Sequence, residues 1–262
     1  MRVPMQDRYV ADVGDFGKYG LLRVLCNTTG HESGPRLRLG VVWYLFDSKE
    51  ERKRKPGDGR KTDYAKQSNK DRFRPRDEEL YDVLVDILRR KARSVVTIRK
   101  SNMLGRDAAF HDSLLTFGET ESDARKEART KWLHGAQSKT ENCDVVFLDP
   151  DNGLEPKSVR PWHKNGPKYV YYDQVRPYLG RDQSVVIYHH LGRNKLGKRQ
   201  ILDCLKQLDT RLALREQPFA LWYHAGSPRV FFVLPSRTHR VLLWRAKTRL
   251  KQNWGSLFDL YP

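Results

Sequence analysis

Asp149-Pro150-Asp151-Asn152-Gly153 places side-chain oxygens at three nearby positions directly behind the apolar run Val145-Val146-Phe147-Leu148. The run reads as a strand buried on both faces, so it delivers Asp149 to a strand end, where α/β sheets present ligands. Pro150 stiffens the turn and Gly153 permits tight backbone geometry. The same residue types build ordinary turns, but the density of oxygens at a strand end favours a site. Two chemistries suit it. In one, Asp149 and Asn152 accept hydrogen bonds from an amine or a base edge. In the other, Asp149 and Asp151, with Glu155 close by, hold a Mg²⁺ ion, which prefers hard oxygen ligands and activates water against a phosphodiester.

Three further stretches carry candidate chemistry. Asp12 to Gly20 (DVGDFGKYG) brings Gly14, Gly17 and Gly20 together with Lys18 and Tyr19. Its glycines let backbone approach a ligand and Lys18 neutralises a carboxylate or phosphate. Tyr188-His189-His190-Leu191-Gly192-Arg193 follows another apolar run. A histidine at a strand end serves as general base or metal ligand, and Arg193 as a phosphate grip. Strand alternation sends the two imidazoles to opposite sides. His189 is the catalytic candidate, and His190 reads as an ordinary imidazole. Gly57-Asp58-Gly59-Arg60 lies in a basic segment that can close over a substrate. Trp162, Tyr169, Tyr171 and Tyr172 alternate with Lys164, Lys168 and Arg176, a pattern for stacking on bases while gripping phosphates. At least half of these aromatics are expected in the core.

The elements that position these residues follow from periodicity. The 262-residue chain is long enough for one large α/β domain over residues 1–262. Strands are expected at 39–46, 94–98, 144–148, 184–188, 219–224, 230–234 and 241–245, the last two pairing across 235–239. Helices are expected within 14–27 and at 78–90, 119–135 and 197–214. Residues 108–117 read as helix or loop, and 168–178 as strand or helix. Residues 47–76 read as a long, basic, exposed loop. Apolar strands alternating with helices predict a three-layer α/β/α, Rossmann-like domain with a mainly parallel sheet and a late antiparallel strand.

Fifty Lys and Arg against 32 Asp and Glu leave a formal charge of +18. That predicts an anionic partner, nucleic acid (DNA or RNA) before a membrane surface, because phosphates reward clustered cations by counterion release. Arg60, Lys168 and Arg193 are the candidate contacts. No apolar run is long enough to span a bilayer. Cys26, Cys143 and Cys204 form neither a zinc spacing nor a disulfide framework, which points to free thiols and a cytoplasmic setting.

The order of these motifs resembles the bacterial large-subunit rRNA adenine-N6 methyltransferases, which have a class I methyltransferase fold. Gly14 to Leu25 (GDFGKYGLLRVL) is similar to that family's N-terminal glycine–lysine segment. Phe147 to Lys157 (FLDPDNGLEPK) stands where the family carries Asp-Pro-Pro-Tyr and Glu-Leu-Lys. Val185 to Arg193 (VVIYHHLGR) and Phe231 to Pro235 (FFVLP) match later strands. The resemblance covers most of the chain as an ordered pattern. It implies S-adenosylmethionine as cofactor, contacted by Lys18 with its neighbours Gly17 and Tyr19, and Asp149 as acceptor from the target amine. It implies methyl transfer to a base; the rival readings are Mg²⁺-dependent cleavage of nucleic acid through Asp149 and Asp151, and non-catalytic nucleic-acid binding. The chain departs from the family pattern in two places. Asn152 stands where the family has an aromatic that stacks on the flipped adenine, and Val41 to Glu51 lacks the glycine-rich cofactor turn. A second likeness, to haloacid-dehalogenase-type phosphatases, implies Asp149 as nucleophile and Asp151 as acid/base.

Overall fold

The computed structural model describes residues 5–28, 34–46, 59–117, 121–192 and 196–262. Its centre is a seven-stranded sheet of order β2-β1-β3-β6-β8-β7-β9. The strands are β1 (Leu39–Trp43), β2 (Ala109–His111), β3 (Val145–Asp149), β6 (Ser184–His190), β7 (Phe219–Tyr223), β8 (Arg229–Leu234) and β9 (Phe258–Tyr261). β2, β1, β3 and β6 are parallel, β8 is antiparallel to β6 and β7, and β9 is antiparallel to β7. Five of the seven strands therefore run the same way. Two short strands, β4 (Gly153–Leu154) and β5 (Tyr169–Val170), pair in parallel beside the main sheet.

Alternation along each strand splits the core into two faces. Leu39, Val41 and Trp43 of β1, with Val145 and Phe147 of β3, point to one face. That face is covered by α1 (Val13–Leu25), α2 (Glu78–Arg89), α3 (Val95–Lys100) and α7 (Arg240–Trp254). Val42, Val146, Leu148, Val185 and Ile187 point to the other. There α4 (Ser122–Lys139), α5 (Tyr172–Gly180) and α6 (Gly197–Leu212) pack. The three-layer, Rossmann-like architecture expected from the sequence is thus present, with antiparallel β8 inserted between parallel β6 and β7.

From β1 the chain crosses to β2 on one side, and later returns to lay β3 on the other side of β1. The sheet thus reverses direction between β1 and β3. Crevices at such switch points, outside the carboxyl ends, are where open α/β sheets bind ligands.

Several local expectations are corrected. Residues 94–98 form a helix, not a strand: the Ser94 hydroxyl accepts from the Thr97 N–H at 3.1 Å, and Val95 and Ile98 bury one turn apart. That cap outweighs the β-branched run Val95-Val96-Thr97-Ile98. Residues 241–245 are helical as well, because Leu243, Ala246, Leu250 and Trp254 continue one buried stripe well past Arg245. The antiparallel hairpin joins β7 to β8 instead. Residues 109–111 are a strand, and β9 extends the β7 edge where no strand was expected. Residues 47–58 of the expected basic loop lie outside the described residues, and 59–76 is not a bare exposed loop. It winds through short helical turns, and Tyr64 and Phe73 bury their rings 5.4 and 5.7 Å from that of Phe16. Among the described residues no helix is long and apolar enough to cross a membrane.

Candidate active site

β1 and β3 end side by side, with Trp43 paired to Asp149 in register. Alternation turns Asp149, Tyr188 and Arg229 toward the α1 face, where a cleft of about 790 Å³ opens over the strand ends. Asp12, Gly14, Asp15, Lys18 and Tyr19 of the α1 segment line it, as do Trp43, Pro150, Asp151, Asn152, His190 and Trp222.

The start of α1 organises the floor. Asp12 caps the helix, its Oδ1 accepting from the Asp15 N–H at 2.9 Å. Asp15 Oδ2 accepts from the Ala11 N–H at 3.0 Å. One turn on, Lys18 Nζ lies 2.9 Å from Asp15 Oδ1 and 2.8 Å from Asp149 Oδ2, so one ammonium bridges two carboxylates. Burial works against the charge of Lys18, but Asp149 and Asp15 outweigh it and hold the ammonium well above the usual lysine range. Burial pushes the Asp149 carboxyl up; Lys18 opposes the rise and Asp15 adds to it. Lys18 donates to Oδ2 of Asp149. The rings of Tyr19 and Tyr188 stand 5.2 and 6.0 Å from the ammonium, so this part of the floor is acidic and aromatic, suited to positive charge.

A second chain of contacts runs beside it. Arg229 Nη2 reaches Asp12 Oδ2 at 3.3 Å, and its Nε donates to the Tyr188 hydroxyl at 3.2 Å. The Tyr188 hydroxyl lies 2.8 Å from His190 Nε2. A guanidinium only donates, so Tyr188 accepts from Arg229, and the same hydroxyl shares a hydrogen bond with His190 Nε2. Arg229 Nη1 is buried without a hydrogen-bond partner among the described residues.

The structure brings Asp149, Asp151, Asn152, Lys18 and Tyr19 together at this cleft. His189 and Gly17 do not face it. His189 faces the opposite side: its Nδ1 accepts from the Leu154 N–H at 3.1 Å, and burial drives its imidazole down to about 4. A Cβ on Gly153 would sit 2.2 Å from that ring. His189 therefore holds the turn after β3, and it is His190 that lines the cleft. Gly17 meets no open space: a Cβ there would lie 2.4 Å from the Tyr223 ring, one at Gly14 2.0 Å from the Arg229 guanidinium, and one at Gly20 2.1 Å from Trp254. The three glycines seat protein side chains on α1. Glu155 pairs with Arg211 at 2.8 Å, and no group of three His, Cys, Asp or Glu side chains converges on a metal position among the described residues.

Of the expected phosphate contacts, Arg193 lies outside the described residues. Arg60 is exposed between Gly59 and Lys61, which line the cleft. Lys168 is half-buried, its ammonium 5.5 Å from the Phe46 ring. Tyr171 and Tyr172 are core residues, as the composition led one to expect of part of that aromatic group.

Sequence reasoning missed Tyr188, Arg229, Asp12 and Asp15. Alternation from Asp149 and His190 identifies Tyr188, and the Asp-x-x-Asp-x-x-Lys spacing of Asp12, Asp15 and Lys18 identifies one helix face. Arg229 gave no local signal, since only the pairing of β8 with β6 brings it here. The chain matches no family model, no curated protein and no solved structure.

Proposed function

We propose that the chain is a nucleic-acid-modifying enzyme that transfers a methyl group from S-adenosylmethionine to a base. The observation that carries this reading is the Lys18–Asp149 pair at the β1–β3 switch point, on the floor of a cleft large enough for a cofactor-sized ligand. Asp149, paired with Lys18 through Oδ2, offers its other carboxyl oxygen as an acceptor for an exocyclic amine.

On the floor the Asp15 and Asp149 carboxylates and the Tyr19 and Tyr188 rings already hold the Lys18 ammonium, so a sulfonium would sit beside this group against the aromatic rings. Arg229, which also lines the cleft, would supply positive charge for a carboxylate. When bound, S-adenosylmethionine supplies the methyl group, and the chain's own residues orient the acceptor amine and exclude water. The fit does not extend to the end of β1, where buried Tyr44, Leu45 and Phe46 stand in place of a glycine turn. The charge of +18 supports nucleic acid as the substrate class.

Isothermal calorimetry with S-adenosylmethionine, with and without Mg²⁺, tests the reading. Binding independent of Mg²⁺, with methyl transfer to an oligonucleotide lost in Asp149→Asn, is the expected result. Absence of cofactor binding overturns it. Mg²⁺-dependent strand cleavage that disappears in Asp149→Ala would instead assign Asp149 and Asp151 to hydrolysis.

A further inference from the structure

α7 carries a second surface, remote from the cleft. β8 begins at the cleft with Arg229 and ends at Leu234, so α7 starts from the opposite end of the sheet. Between Arg237 and Lys251 the chain holds Arg237, Arg240, Arg245, Lys247, Arg249 and Lys251 and no carboxylate. The solvent side of the helix also presents two large apolar groups, Trp244 at 37% and Val241 at 51% exposure. Together with Arg245, Thr248, Gln217 and the Arg240–Glu216 ion pair (3.3 Å) they border a shallow groove of about 570 Å³.

The indole of Trp244 is fixed from within. Lys247 Nζ lies 4.2 Å from its ring centroid, and the Phe219 ring packs at 5.4 Å. Arg245 and Lys251 are exposed and carry no ion pair among the described residues. An aromatic ring backed by Lys247 and Phe219, with Arg245 and Lys251 beside it, matches one kind of partner, a polyanion with planar rings. An acidic protein would supply the charge but not regularly spaced rings.

We infer that this face of α7 docks single-stranded RNA, one base stacking on Trp244 while Arg245 and Lys251 contact neighbouring phosphates. Gln217 and Thr248 also line the groove; the Gln217 amide, and the Thr248 oxygen as acceptor since its hydrogen goes to the Trp244 carbonyl at 3.2 Å, would meet a 2′-hydroxyl, which favours RNA over DNA. The surface would hold substrate at a distance from the cleft; as a docking site for substrate it rests on the nucleic-acid reading above.

Fluorescence anisotropy with a labelled 12-nucleotide RNA of mixed sequence, followed over a KCl series, tests it in the full chain. The double variant Arg245→Glu/Lys251→Glu is expected to bind about tenfold more weakly and to lower the salt slope by about 1.4. A matched reversal on α4, Lys131→Glu/Lys139→Glu, is expected to change affinity by about twofold or less. Trp244→Leu is expected to lose about tenfold while Trp244→Phe retains most of the affinity, a distinction that charge alone does not make. Equal losses in the α7 and α4 variants, or no loss in either, overturn the docking site and leave the nucleic-acid reading standing. Failure of the wild-type chain to bind any RNA or DNA oligonucleotide defeats both. Equal affinity for DNA of the same sequence overturns the assignment to RNA, and binding to anionic phospholipid vesicles without binding to RNA replaces nucleic acid by a membrane.

Discussion

His189 turns away from the cleft, and this has a cost that shows in pH. Its ring is enclosed against Gly153 and Phe232 and accepts from the Leu154 N–H. Burial disfavours the imidazolium and brings the group from 6.5 to about 4. A depressed folded value contributes stability that is present above the unfolded value and is lost as pH falls toward the folded one. The window is therefore pH 6.5 down to about 4. By pH 5 the loss is about 2 kcal/mol. Asp149 works in the opposite direction, because a carboxyl raised by burial gains stability as pH falls. Comparison with His189→Gln isolates the imidazole, since glutamine can still accept from Leu154 but does not titrate. Urea unfolding at pH 7 and pH 5 is expected to show the wild type losing about 2 kcal/mol more than the variant. Parallel behaviour of the two proteins would mean that this ring is not closed off from solvent. His190, linked to Arg229 by two hydrogen bonds through Tyr188, takes the place at the cleft that the sequence reading gave to His189.

At the scale of the element, α1 is the part whose sequence was easiest to misread. Gly14, Gly17 and Gly20 in a helix cost propensity, and their grouping looks like a ligand loop. In the fold they form one smooth face on which Arg229, Tyr223 and Trp254 rest, and the Tyr223 hydroxyl donates to the Val13 carbonyl at 2.9 Å. Gly17→Ala forces a methyl group into the Tyr223 ring and is expected to destabilise the chain by about 1–3 kcal/mol. Gly180→Ala, at the end of α5 with nothing within 4 Å of the added carbon, is expected to be neutral or to stabilise by about 0.5–1 kcal/mol. Chemical denaturation of the two variants measures the contrast; equal effects would show that α1 is not packed through its glycines. The same element explains how much could be read in advance. The runs around Val41, Val146 and Val186 announced buried parallel strands, and Asp149 followed from where one of them ends. Lys18 was legible as a charge but not as the partner of Asp149, because 131 residues separate the two and only the packing of α1 over β3 joins them. Val95 to Ile98 and Val241 to Arg245 misled because a short apolar run has no period of its own; a cap in one and a longer buried stripe in the other decided for helix.

The whole molecule carries a charge of +18, and most of its pairing cannot offset that. Lys18–Asp149 and Arg23–Asp77 are buried, where salt screens little. Pairs such as Lys66–Asp63 and Arg176–Asp173 sit on the surface within one helical turn and contribute little. The unmatched cations repel one another, and the folded state feels this more than the extended chain because it holds them closer. Raising NaCl from about 0.01 M to about 0.15 M shortens the Debye length from about 30 Å to about 8 Å. That removes repulsion between surface cations while leaving the buried pairs intact. The midpoint of thermal unfolding is therefore expected to rise with NaCl, by about 2–4 °C for each kcal/mol gained in a chain of this size. The Arg245→Glu/Lys251→Glu variant lowers the net charge and is expected to start higher at low salt and to respond less to it. A midpoint that falls with NaCl in the wild type would show that attraction between surface charges outweighs repulsion. The excess of cations would then be balanced across the surface instead of being held in reserve for a polyanion.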